Sequence, residues 1–141
     1  MTQQEIQLIK SSWILLQKMD PVLIGDAFYS KLFLEAPQIR TLFKSSRLEQ
    51  AHKLISTLSV MVHQLEKSDH LTHAVEQLAI RHVHYGVKPE HYGLIGDTLL
   101  WTLEKLLKDN WNDDLHQAWT TCYKILSETM ITTAHPPVTL I

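Results

Sequence analysis

RHVHYGVKPEHY, residues 81–92, is the stretch whose reading decides the architecture. A helix that reaches His84 meets Gly86, a residue suited to ending helices, and then Lys88-Pro89. Proline has no amide hydrogen and a fixed φ, so it disrupts a helix interior but fits a first turn. The stretch is therefore a tight joint between a helix spanning Leu71 to His84 and a long helix from Pro89 to about Lys108. His82 and His84 stand about 200° apart around a helix, so both cannot face one site.

Helices continue on both sides of the joint. Upstream, the polar link Lys67-Ser68-Asp69 separates it from a long helix that opens with an S-x-x-E capping box, Ser46 and Glu49, and ends near Glu66. Its apolar stripe, Leu54, Leu58, Met61, Val62 and Leu65, runs at spacings of one, three and four. Pro37 starts a short helix through Ile39 and Leu42 to Phe43. Asp20-Pro21 opens a helix to Glu35 that carries Ile24, Phe28, Leu32, Tyr29 and Phe33. Thr2 and Glu5 cap a first helix with Ile6, Ile9, Trp13 and Leu16 on one face. Downstream, Asn112 is the expected N-cap of a last helix, where Asp113 and Asp114 suit the positive end of the dipole. That helix carries Leu115, Trp119, Cys122, Leu126 and Thr129. No segment sustains the alternation of a strand, so the chain reads as all-α with about seven helices. Residues 1–133 form one expected domain, and AHPPVTLI, residues 134–141, a flexible tail.

Composition agrees. The 141 residues are 45% hydrophobic and 20% charged, as in an ordinary soluble domain. The net charge of −2 exerts no general pull on nucleic acid or an anionic membrane. No apolar run approaches the length of a spanning helix. MTQQEIQLIK lacks the basic start and apolar stretch of a secretory signal, and the single cysteine, Cys122, cannot form an internal disulfide. Cytoplasmic residence is the expectation. Most of the 9 histidines read as scattered surface residues.

A plain bundle and a pocketed fold both fit such a string of helices, and the motifs separate them. The 81–92 joint resembles the proximal region of bacterial globins, above all the haem domain of flavohaemoglobins. In that family a basic residue and the iron-binding histidine end one helix, and a Lys-Pro-Glu-x-Tyr stretch opens the next. The resemblance implies a globin fold around non-covalent haem b, with His82 as iron ligand and Tyr92 beside it. FYSKLFLEAPQIRTLF, residues 28–43, resembles the family's second helix and following corner. It implies Tyr29 on the gas-binding side and Phe43 against the haem plane. EQAHKLISTL, residues 49–58, resembles the start of the distal helix and supplies Gln50 and Leu54.

Spacing adds physical content. Gln50 and Leu54 lie one turn apart, so a polar and an apolar group can look at one ligand. Gly25 and Tyr29 are likewise one turn apart, and Gly25 with Ala51 would let the second and distal helices cross closely. Tyr29 offers a hydroxyl and Gln50 an amide, both able to donate to a gas that gathers negative charge. Lys53 has two readings, a haem propionate partner or a solvated lysine. His52 and His84 are not expected to bind iron.

The resemblance implies binding of diatomic gases: oxygen, nitric oxide and carbon monoxide. Three roles follow: a tight oxygen binder converting nitric oxide to nitrate, a gas carrier or store, and a sensor acting through a partner. The first needs electrons, and with the chain ending at Ile141 a separate reductase is expected. One departure bears on that role. Tyr92 matches the tyrosine that supports the proximal histidine, but the register places Ala134 where the family has a glutamate, and Glu128 falls too far up the helix.

Overall fold

A computed structural model describes residues 1–134, and no strand occurs among them. The α-helices are α1 (Gln3–Gln17), α2 (Pro21–Glu35), α3 (Arg47–His63), α4 (Ser68–His84), α5 (Pro89–Leu107) and α6 (Asp113–Ala134). A 3₁₀ helix, Pro37–Leu42, turns the corner between α2 and α3, and a short 3₁₀ turn, Lys108–Asn110, precedes α6. Counting the corner helix, the expected seven are present.

Local chemistry sets these boundaries. Thr2 and Glu5 form the reciprocal capping box of α1, Asp20 caps α2 ahead of Pro21, and Ser46 accepts from the Glu49 amide. Asn112 Oδ1 takes the Leu115 amide at 2.8 Å, as its N-cap role requires. Three boundaries shift. α3 ends at His63 and the chain turns through Gln64 to Glu66, while α4 begins at Ser68, inside the link expected to stay open. Ala134 closes α6 instead of opening the tail, and residues 135–141 lie outside the described residues. Trp111, at the end of the Lys108–Asn110 turn, is half-buried and edges against His116 at 5.8 Å.

The main core joins α1, α2, α5 and α6 through Ile9, Trp13, Leu32, Leu103, Trp119 and Cys122. Burial pushes the Cys122 thiol up to about 12, so it is packing, not chemistry. A smaller cluster ties α4 to the rest through Val75, Leu78, Ala79, Tyr92 and Met130. The expected close crossing is found: a Cβ added at Gly25 would overlap the Ala51 methyl and lie 2.8 Å from Ala51 Cα. No other residue type fits the α2–α3 contact without displacement. Among the described residues no helix is long and apolar enough to cross a membrane.

Candidate functional site

Four helical stripes converge between the two clusters. α3 contributes Leu54, Leu58 and Met61, α4 contributes Val75, Leu78 and His82, α5 contributes Tyr92, Ile95 and Leu99, and α6 contributes Leu126 and Met130. Each set recurs at three or four residues, so each helix presents one face to the same space. The space they enclose holds about 700 Å³, its open mouth included. Its walls are apolar apart from a few hydroxyls and one imidazole, that of His82.

The orientation of that imidazole is set by its own helix. His82 Nδ1 lies 2.9 Å from the Leu78 carbonyl, one turn back. A carbonyl only accepts, so Nδ1 carries the hydrogen and Nε2 keeps its lone pair. The Tyr92 ring lies nearly parallel to it, with centroids 6.3 Å apart and planes inclined by 22°. Burial holds the His82 pKa below the ordinary value; the Leu78 carbonyl opposes this and the Arg81 charge reinforces it. A neutral imidazole with one nitrogen tied back and the other bare is prepared for axial ligation.

The remaining residues singled out from sequence do not share this cavity. Tyr29, Gln50 and Phe43 line a second pocket, together with Phe33, Ser45, Arg40 and Arg47. The Tyr29 ring is wedged among Phe28, Phe33 and Phe43, with centroids 5.0, 5.8 and 5.2 Å away. Its hydroxyl donates to the Gln50 backbone carbonyl at 3.3 Å, a long bond. Burial pushes its pKa up to about 12, so it remains a protonated donor. Lys53 is exposed, donates to Ser45 Oγ at 3.0 Å, and lines a third pocket with Lys44, His84 and Tyr85. His52 is also exposed.

The Globin sequence profile matches residues 26–130 of this chain. The chain belongs to the globin family. It is 31% identical to a flavohaemoprotein of Vibrio cholerae, over 93% of this chain and 34% of that one. A globin-like protein of Aquifex aeolicus is 30% identical, with 94% of this chain and 93% of that one covered. An engineered carbene transferase built on a provisional nitric oxide dioxygenase of Rhodothermus marinus superposes with a TM-score of 0.84 at 28% identity, covering 95% of this chain and 93% of that one. The chain spans about a third of the length of the flavohaemoproteins it matches.

A globin implies haem, and the cavity of this globin fits one on its own chemistry. Among the described residues no three histidine, cysteine or carboxylate groups converge, so His82 could not hold a bare ion alone. A porphyrin supplies the other in-plane ligands and needs only apolar walls and one imidazole. Ala134 packs against the cluster that contains Tyr92, and Glu128 is exposed. The globin's cavity also has walls the motif reading passed over, notably Tyr123 and Met130. Tyr123 fills the notch left by Gly96 and donates to the Tyr92 carbonyl at 2.7 Å, bracing α5 against α6. Helical periodicity had marked Leu126 on α6, and the same stripe contains Tyr123 and Met130.

Proposed function

We propose that this globin holds haem b in the apolar cavity, with His82 Nε2 as the axial ligand, and binds diatomic gases, oxygen above all. The observation that carries this is the Nδ1 bond from His82 to the Leu78 carbonyl, inside a cavity with no other imidazole. Haem iron, when bound, supplies the coordination position for the gas. Leu54 and Phe28 keep the cavity wall dry, Tyr92 keeps the His82 ring from turning, and Phe43, in the neighbouring pocket of the same corner, would meet the haem only where the two spaces join. Tyr29 and Gln50 lie on helices that cross at Gly25 and Ala51, and they supply the hydrogen-bond donors on the gas side. Lys53 and the cations near it form a rim suited to the haem carboxylates.

The flavohaemoprotein and Rhodothermus marinus relatives support a finer role, conversion of nitric oxide to nitrate, with a reductase returning ferric iron to ferrous. Ala134 favours a second reading. Among the described residues the partner of His82 Nδ1 is the Leu78 carbonyl and not a carboxylate, so the imidazole would be less electron-rich, which suits storage or transport of gas better than sustained turnover. A sensor signalling through a partner would use the same pocket.

Absorption spectra of the purified chain, ferric, ferrous and with oxygen, test the haem reading. A Soret band is expected, with cofactor that acid–acetone extracts because no C-x-x-C-H attachment motif is present. His82→Ala should bind haem poorly and lose that spectrum. An oxygen complex of unchanged spectrum in His82→Ala would remove His82 from the ligand position.

A further inference from the structure

The apolar cavity shares part of its wall with a surface groove between α3 and α4. Val60, Ala74, Gln77 and Arg81 line the groove, and Thr57 and Met61 belong to the groove and the cavity alike. The corner pocket, the pocket at Lys53 and a groove between α1 and α3 have no wall residue in common with the cavity. We infer that diatomic gas enters and leaves the cavity between α3 and α4, with Met61 as a side-chain gate.

The two shared residues differ in what they can do. Thr57 is β-branched and stiff about its first side-chain torsion, so it stands as a fixed post. Met61 is unbranched, with three rotatable bonds, and can change rotamer while its helix stays in place. It is 4% exposed, so in the described arrangement it closes the way. The groove beyond it holds about 650 Å³, its solvent side included, so a displaced thioether has somewhere to go. On the α4 side the half-buried Ala74 presents only a methyl group, and Val60, Gln77 and Arg81 are exposed. A diatomic gas carries no net charge and needs no hydrogen bond, so a thioether gate lets it pass. Water and ions lose their polar partners on the same path and are held back.

The inference rests on the proposed binding of gas in the cavity; the shared wall does not. A residue that only guards a passage changes the barrier common to entry and exit. Both rates then move by the same factor and affinity stays where it was. A residue that touches bound gas or tilts the axial ligand changes the affinity instead.

The test is carbon monoxide kinetics on the haem-loaded ferrous chain, with entry read after flash photolysis and release by displacement with nitric oxide. Met61→Ala should speed both rates roughly threefold to tenfold, and Met61→Phe should slow both by a similar factor. Ala74→Leu narrows the groove from α4 with Met61 intact and should also slow both. It decides the matter if truncating the buried Met61 prevents folding. Ile14→Phe, in the groove between α1 and α3, should change neither rate. Unchanged rates in Met61→Phe and Ala74→Leu, or an altered affinity in both, would overturn the gate. A wild-type chain without a Soret band would count against the haem reading alone. Xenon exchange into the cavity, followed on the Leu78 and Met130 methyl NMR signals, would then show whether Ala74→Leu slows entry. Equal exchange in that variant and the wild type would remove the passage.

Discussion

The Tyr29 hydroxyl is a buried donor whose only partner among the described residues, the Gln50 carbonyl, is held at 3.3 Å. So long a bond costs little to exchange for a better acceptor, such as a gas ligand that gathers negative charge. Hydrogen bonds to charged groups are worth roughly 1.5–3 kcal/mol, so losing one should speed oxygen release on the order of tenfold to a hundredfold. Tyr29→Phe isolates that term, since the ring keeps its three aromatic neighbours. Carbon monoxide gathers little charge and should leave at a nearly unchanged rate. Gln50→Leu should act in the same direction but more weakly, because a longer side chain loses more entropy when held. The double variant should fall short of the sum, as both donors would share one acceptor. Stopped-flow release of both gases measures this. An oxygen rate within about twofold of wild type in Tyr29→Phe, under roughly 0.4 kcal/mol, would return Tyr29 to the role of core residue.

Two glycines on different helices carry opposite expectations. Gly25 brings α2 against α3 at Ala51, where an added methyl has no room. Gly93, on the exposed side of α5, has nothing within 4 Å of an added Cβ. Alanine improves helix propensity at both positions by about 1 kcal/mol. At Gly93 that gain stands alone, so Gly93→Ala should stabilise the fold by about 0.5–1 kcal/mol. At Gly25 overpacking opposes it, and Gly25→Ala should destabilise by about 1–3 kcal/mol through the forced shift of α3. Urea denaturation of both variants reads the two signs. Stabilisation by Gly25→Ala would mean that the helices separate freely and that Tyr29 is not held by their crossing.

For the molecule as a whole the open question is electron supply. The described residues are consumed by helices around a cavity, and the proposed conversion of nitric oxide to nitrate would need one electron returned for each turnover. The 141-residue chain, loaded with haem and oxygenated, should therefore consume one equivalent of nitric oxide and stop in the ferric state. NADH alone should not restart it, whereas a reductase acting on the haem should. Steady consumption of nitric oxide with NADH and no added protein, followed with a nitric oxide electrode, would overturn this account.

Sequence by itself determined the helices, their caps and the joint at residues 81–92. Capping boxes, proline starts and apolar stripes act over three or four residues and need no tertiary partner. The Gly25–Ala51 crossing was also legible, because small residues at matched positions on two helices leave one way to pack. The likeness of three short motifs to globins indicated the family, which the profile match shows. Tertiary structure decided how the marked residues are distributed. Leu54, His82 and Tyr92 line one cavity, Tyr29 and Phe43 a second pocket, Lys53 a third, and Gln50 borders both of the last two. Only the packed chain set Arg40 and Arg47 over Phe33, and only there did Tyr123 meet Gly96. The physical reason is range: helix periodicity tells which face is apolar, but crossing angles and corner geometry, set by contacts far apart in sequence, decide which faces meet.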